Sequence, residues 1–178
     1  MPNRNFTPFP VLITERLVLR QLLITDDQEI FSLRSDIVIN KYLDRQICKS
    51  IEDAKNFITK VNENIIKNDS VYWAITLRDS NKLVGIICLF GFSDENDNCE
   101  IGYELMTNFQ GKGIMQEASE MVIDYAFKTI KVHQIEAYVH NDNQPSKKML
   151  AKLLFSISQE TVEASPEMVG FQLINSVE

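Results

Sequence analysis

Gln110-Gly111-Lys112-Gly113-Ile114-Met115 separates the alternating run Ile101-Gly102-Tyr103-Glu104-Leu105 from a long amphipathic run that starts near Ile114. The first pattern predicts a strand and the second a helix. Two glycines at such a junction let the backbone turn sharply and come close to a ligand. The helix would aim its unpaired N–H groups and positive dipole end into the turn. That combination makes an anion site, most naturally for phosphate, whereas the plainer reading is a turn that only reverses the chain. A nucleotide P-loop requires GxxxxGK followed by Ser or Thr, and the chain offers only Gly-Lys-Gly. A dinucleotide fingerprint requires GxGxxG after a parallel strand. Here the register ends in Gln116, and antiparallel hairpins precede it.

Outward from the turn, the same periodicities place the remaining elements. Glu15 to Leu22 alternates and predicts a first strand. Thr25-Asp26-Asp27-Gln28 fits a capping box and predicts a short helix to about Ser35. Ser50-Ile51-Glu52-Asp53 predicts a better helix, in which Ala54, Phe57, Ile58, Val61 and Ile65 form a stripe. Hairpin strands follow at Val71–Leu77, Leu83–Phe90 and Cys99–Leu105. After the glycine turn, Ala118, Met121, Val122, Tyr125 and Ala126 share a helical face. Gln134–Val139 predicts another strand, and Asn143 caps a helix with Met149, Leu150 and Leu153 inward. Weaker strands are expected near Phe155–Gln159 and Val169–Ile174. The order β-α-α-β-β-β-α-β-α-β-β implies an α+β (mixed α/β) layout over residues 1–178 as a single domain.

Composition limits the partners. The chain has 178 residues, 44% hydrophobic and 24% charged, which is globular and enough for one core. Net charge is −7, so nucleic acid or an anionic membrane is not expected as a partner, and a cationic or amine-bearing one is mildly favoured. Cys48, Cys88 and Cys99 have no CxxC spacing, and with His133 and His140 they supply no metal signature. Neither a signal core nor a long apolar span is visible, so a cytoplasmic protein is expected.

The segment Glu100 to Ala118 resembles the GNAT N-acyltransferase superfamily, in particular the RimJ/RimL-like branch that acetylates ribosomal-protein N-termini. The superfamily signature is Gln or Arg, two residues, Gly, one residue, then Gly or Ala. Gln110 and Gly113 match, and Met115 replaces the last small residue. Thr14-Glu15-Arg16-Leu17-Val18-Leu19-Arg20 resembles the branch's opening strand, and Asn143 with Ser146 its late helix cap. The resemblance covers about Ile13 to Phe155 and implies a central, mostly antiparallel twisted sheet of about seven strands flanked by about four helices.

The implied ligand is acetyl-CoA, with no metal. Amides of Gln110, Gly111, Lys112, Gly113, Ile114 and Met115 would bind the pyrophosphate, and an Asp at position 113 would oppose it. Leu105 and Thr107 would pair with the pantetheine arm like an added strand, and the Lys112 side chain either reaches a phosphate or stays in solvent. A backbone N–H near Leu105 or Met106 would polarise the thioester carbonyl.

The implied reaction is direct acetyl transfer to a primary amine, namely a protein N-terminus, a polyamine or another small amine. Glu100 and Glu104 share a strand face, and either could be the base; as solvent-facing glutamates they would need no role. Many family members place a Tyr in the late helix to protonate the thiolate. Here Leu150 holds that place and Leu154 the place of a Gly, while Lys152 and Phe155 match. Ser146 or a water near Asn143 would then serve, with Tyr103 and Tyr138 as alternatives. The missing Tyr, and the absence of Lys or Arg after Lys152, also suit a non-catalytic acyl-CoA-binding domain. A homodimer is implied by analogy alone.

Overall fold

The period-two runs become one eight-stranded sheet in the computed structural model, which describes residues 4–95, 97–158 and 165–176. The strands are β1 (Leu12–Ile13), β2 (Leu17–Arg20), β3 (Val71–Leu77), β4 (Leu83–Ser93), β5 (Asn98–Leu105), β6 (Gln134–His140), β7 (Ser156–Ile157) and β8 (Met168–Ile174). Their spatial order is β1-β2-β3-β4-β5-β6-β8-β7, and every pair is antiparallel except β5–β6. The helices are α1 (Asp27–Ser35), α2 (Ile37–Asn40), α3 (Ile51–Ile66), α4 (Ile114–Tyr125) and α5 (Gln144–Lys152). The mixed α/β layout therefore holds, with one two-residue strand and one single-turn helix beyond expectation.

Each sheet face buries a helical layer. On one face Leu19, Trp73, Ile87, Leu89 and Ile101 pack with Val122 of α4 and Leu150 of α5. On the other, Ala74 and Ile86 meet Ile30 and Leu33 of α1 and Ile58 and Val61 of α3. Each fully buried large side chain contributes roughly 1.5–3 kcal/mol of transfer free energy. Trp73 is a core residue whose indole N–H donates to the Pro10 carbonyl at 2.7 Å.

Local signals act as expected at α3, where Ser50 and Asp53 bond each other's main-chain N–H at 3.1 Å. At α1 they do not. Asp26 turns back to the Leu23 amide (2.7 Å) and to Arg20 (2.8 Å), and a 3-10 turn precedes the helix. The ion pair outcompetes the cap because Asp26 is buried and needs a charged partner. The expected Phe155–Gln159 strand shrinks to β7, and Gln159 lies outside the described residues.

The α5 helix ends in a Schellman arrangement. The Phe155 N–H donates to the Leu150 carbonyl at 3.0 Å and the Leu154 N–H to Ala151 at 3.1 Å. Leu154 sits between them at φ 67°, the left-handed region that favours glycine, which explains why the family pattern has Gly there.

One topological fact positions everything that follows. The parallel pair β5–β6 is in register only for Asn98–Gln134, Cys99–Ile135 and Glu100–Glu136. Beyond those pairs β5 continues against β4 alone and β6 against β8 alone. The sheet splits there into a wedge that opens toward the carboxyl ends of both strands.

Candidate active site

The open end of the wedge is flanked by two helix N-termini: α4 follows β5, and α5 follows β6. Both aim positive dipole ends at the mouth, where ligands bind in sheets that change direction. Only α4 adds main-chain N–H groups unpaired among the described residues, because in α5 Gln144 donates to Asp142, Pro145 has no N–H and Ser146 donates to Asn143. At α4, Gly111 and Gly113 have φ of 73° and 74°, so each is Gly for a conformational reason. A Cβ at Gly111 would meet nothing within 4 Å. None of the amides from Lys112 to Met115 donates to an acceptor among the described residues. The Gln110 side chain folds back, donating to the Leu105 carbonyl at 3.0 Å. The Lys112 ammonium lies 5.5 Å from the Phe109 ring centre.

A clasp from the sheet edge fixes this turn. Glu117, in the first turn of α4, accepts from the Thr14 hydroxyl (2.5 Å), the Arg16 amide (2.9 Å) and the Arg16 Nε (2.6 Å). Arg16 Nη1 also donates to the Lys112 carbonyl at 3.0 Å. Burial pushes the Glu117 carboxyl up, but the Thr14 and Arg16 bonds outweigh it and hold the group below the ordinary range. Sequence reading noted the Thr14–Arg16 stretch only as resemblance and missed this function.

Along the wedge, main-chain groups alternate between strand edges. The Met106 N–H donates to Val84 on β4 at 2.8 Å, so Leu105 and Tyr103 turn their main-chain groups toward the gap. Met106, expected as one possible carbonyl polariser, has its amide already engaged, whereas the Leu105 amide faces the gap. The Thr107 carbonyl accepts from the Gln110 amide at 3.2 Å.

Glu100 and Glu104 do share one face of β5, but their settings differ. Glu104 is buried, and Arg45 holds both of its oxygens, at 3.1 Å on Oε1 and more closely on Oε2. Arg34 adds a long 3.5 Å contact to Oε1. Glu100 is half-buried opposite Glu136 of β6. Burial first, and the Glu136 charge second, push its carboxyl above the ordinary Glu range. Glu136 itself accepts from Asn98, Gln134 and Tyr138 at 2.8, 2.8 and 3.0 Å.

At the α5 side Asn143 caps as expected, its Oδ1 accepting from the Ser146 N–H at 3.3 Å. Leu150 is fully buried in the core, so its position offers no hydroxyl. Tyr103 does: its hydroxyl oxygen is buried without a well-formed hydrogen bond among the described residues, and Ser146 is the side chain beside it. Burial pushes this phenol up to about 12, so it stays protonated at neutral pH. Cys88 and Cys99 are buried thiols pushed up to about 12 by the same cause and are inert as nucleophiles.

On the face of β5 that carries Glu104, a cavity of about 150 Å³ lies between the sheet and the segment after α1. Arg34, Leu43, Arg45, Tyr72, Gly102 and Glu104 help line it. Farther along that segment, the Tyr42 ring stacks on His140 at the end of β6, with centroids 5.1 Å apart. The segment thus spans from α1 to the far side of the wedge. Neither Arg34 nor Arg45 was singled out from sequence, because their common partner lies 70 and 59 residues away. No helix among the described residues is long and apolar enough to cross a membrane, and no group of three or more metal-ligating side chains occurs among them.

Comparison with known proteins adds an independent line. Residues 16–156 match the Acetyltransferase (GNAT) domain family. An uncharacterised N-acetyltransferase of Bacillus licheniformis, p20, is 33% identical over 145 residues, covering 81% of each chain. The ribosomal protein uS5-alanine N-acetyltransferase of Escherichia coli is 29% identical over 99 residues, 53% of this chain and 50% of that one. The ribosomal L7/L12 acetyltransferase RimL, solved with coenzyme A, superposes with a TM-score of 0.80 at 18% identity, over 95% of this chain and 100% of that chain.

Proposed function

Because the chain belongs to the GNAT acetyltransferase family, with ribosomal-protein acetyltransferases of the RimJ/RimL type among its relatives, we propose that its wedge binds acetyl-CoA and presents the acetyl group to a primary amine. One observation carries the reading: the free amide row from Lys112 to Met115 stands at the mouth of a gap edged by unpaired main-chain groups of β5. The amide row and the α4 dipole receive the pyrophosphate. Gly111 gives it room, and Gln110 closes the Leu105 carbonyl at the entrance. The gap-facing Leu105 N–H and Thr107 offer strand-like bonds to the pantetheine arm, and the Tyr103 N–H, deeper in the wedge and nearer Glu100, polarises the thioester carbonyl. Asn143 and Ser146 border the opposite wall from the α5 end.

Glu100 is the base in this reading, because both oxygens of Glu104 are committed to Arg45. A raised carboxyl is closer in proton affinity to the ammonium it relieves. The amine nitrogen bonds to the acetyl carbon, the carbon–sulfur bond breaks, and the amine proton passes to Glu100. Tyr103, with Ser146 beside it, returns a proton to the departing thiolate, which supplies the group that Leu150 lacks.

The test is thiol release from acetyl-CoA with a panel of primary amines, for the native protein and Glu100→Gln. The variant should lose roughly 10²- to 10⁴-fold in kcat while its Kd for CoA is unchanged. Tight acetyl-CoA binding with no thiol release on any amine would instead favour a non-catalytic acyl-CoA-binding domain.

A further inference from the structure

The overall charge of −7 suggests a cationic acceptor, yet the cavity beside β5 has the opposite character. Two arginines and one glutamate line it, and no other charged side chain does so among the described residues. Their pairing is unequal. Arg45 is the more fully engaged: its Nη atoms grip both oxygens of Glu104, and its Nε donates to Asn40 Oδ1 at 2.7 Å. Among the described residues the Arg34 side chain keeps the long contact to Glu104 at 3.5 Å and a place beside the Cys48 sulfur. Its guanidinium carbon lies over Phe57, 3.8 Å from the ring centre, with the side chain 16% exposed. A rigid planar fork with unspent donors, facing a small cavity, fits a carboxylate bidentately.

Resting on the acetyltransferase reading above, we propose that the acceptor is a small amine that also carries a carboxylate, of α-amino-acid size, and that Arg34 binds the carboxylate. The size follows from the cavity, about 150 Å³, below the range usual for drug-sized ligands. The location follows from the lining: Gly102 and Glu104 belong to the strand that edges the wedge. An acceptor anchored at Arg34 is therefore held against that strand. Burial first, and the Arg45 charge second, lower the Arg34 proton affinity, with Glu104 opposing them. A polyamine would bring further positive charge to this place and would be disfavoured.

Thiol release from acetyl-CoA is measured with the α-amino acids, with amines matching them but lacking the carboxylate, and with spermidine. At least one amino acid should exceed its decarboxylated counterpart by about 10- to 150-fold in kcat/KM. Arg34→Gln should abolish that ratio through KM, leaving the decarboxylated amine and the Kd for CoA unchanged, and Arg34→Lys should restore part of it. A thermal melt of each variant shows whether it is folded. Equal kcat/KM within each pair, or preference for spermidine, overturns this inference and leaves the acetyltransferase reading standing. Absence of thiol release with every amine overturns both.

Discussion

The glycine turn allows a test in which strain and charge separate. Gly111→Asn and Gly111→Asp are nearly equal in size, and both residues tolerate the left-handed backbone better than other non-glycine types. Each must adopt φ near 73°, so both should lose stability by about 1–2 kcal/mol, or roughly 2–8 °C in Tm for a chain of this length. No atom within 4 Å of the new Cβ adds a clash. Only Asp adds a negative charge beside the amide row. At about 5 Å from a phosphate, with an effective dielectric between 20 and 80, the repulsion is roughly 1–3 kcal/mol, or about 5- to 150-fold in Kd. Gly113 is the poorer position, because Arg16 Nη2 would lie 3.5 Å from its Cβ and would neutralise an introduced carboxylate. Calorimetric titration of CoA should show Asp weaker than Asn by that factor at low salt. The difference should shrink at 1 M salt, where the screening length is about 3 Å. Equal affinities for the two variants at low salt would refute the placement of the pyrophosphate at this turn.

Leu154→Gly should stabilise the protein, since Leu154 is 81% exposed and forfeits little packing while relieving a φ of 67°. Release of the left-handed strain, less the entropy glycine adds to the unfolded chain, leaves about 0.5–1 kcal/mol, read as a Tm rise of about 1–4 °C; a fall in Tm contradicts the argument. Tyr103→Phe should lower kcat roughly 10²-fold or more with acetyl-CoA, yet have little effect with an acetyl thioester of an acidic thiol, whose leaving group needs no proton. Because burial pushes the Tyr103 phenol up to about 12, the acid form persists and no alkaline limb below about pH 10 should arise from it. Full activity of the Phe variant on acetyl-CoA would remove Tyr103 from the mechanism.

The sheet, the cap of α3 and the glycine turn were readable because each depends on neighbours in sequence. Alternation in Val71–Leu77 and the Ser50–Asp53 exchange declare themselves within a few residues. β1 has only two residues, too few for a period, and α2 depends on Asp36 accepting from Val38 and Ile39. The inequality between Glu100 and Glu104 was not readable. Spacing puts them on one face, but their chemistry is set by Glu136 and by two arginines from another layer. For the same reason Met106 was grouped with Leu105, although strand alternation divides them once the pairing with Val84 is known. Leu150 could be read as lacking a proton. That Tyr103 carries one into the same region follows from tertiary packing alone.

The short parallel ladder makes the sheet two plates joined at a narrow seam. Three residue pairs at the closed end, with the His133 and Gln134 amides donating to the Asp97 carbonyl just below them, join β5 to β6, while each plate is tied internally by longer antiparallel ladders. Across that seam the plates share one apolar core, in which Ile101 and Leu105 of β5 lie in the same cluster as Ile135, Ala137 and Val139 of β6, so packing rather than a ladder sets how far apart they stand. The stacked pair Tyr42 and His140 bridges the far side, so the loop roofing the arginine chamber is tied directly to the plate that carries β6.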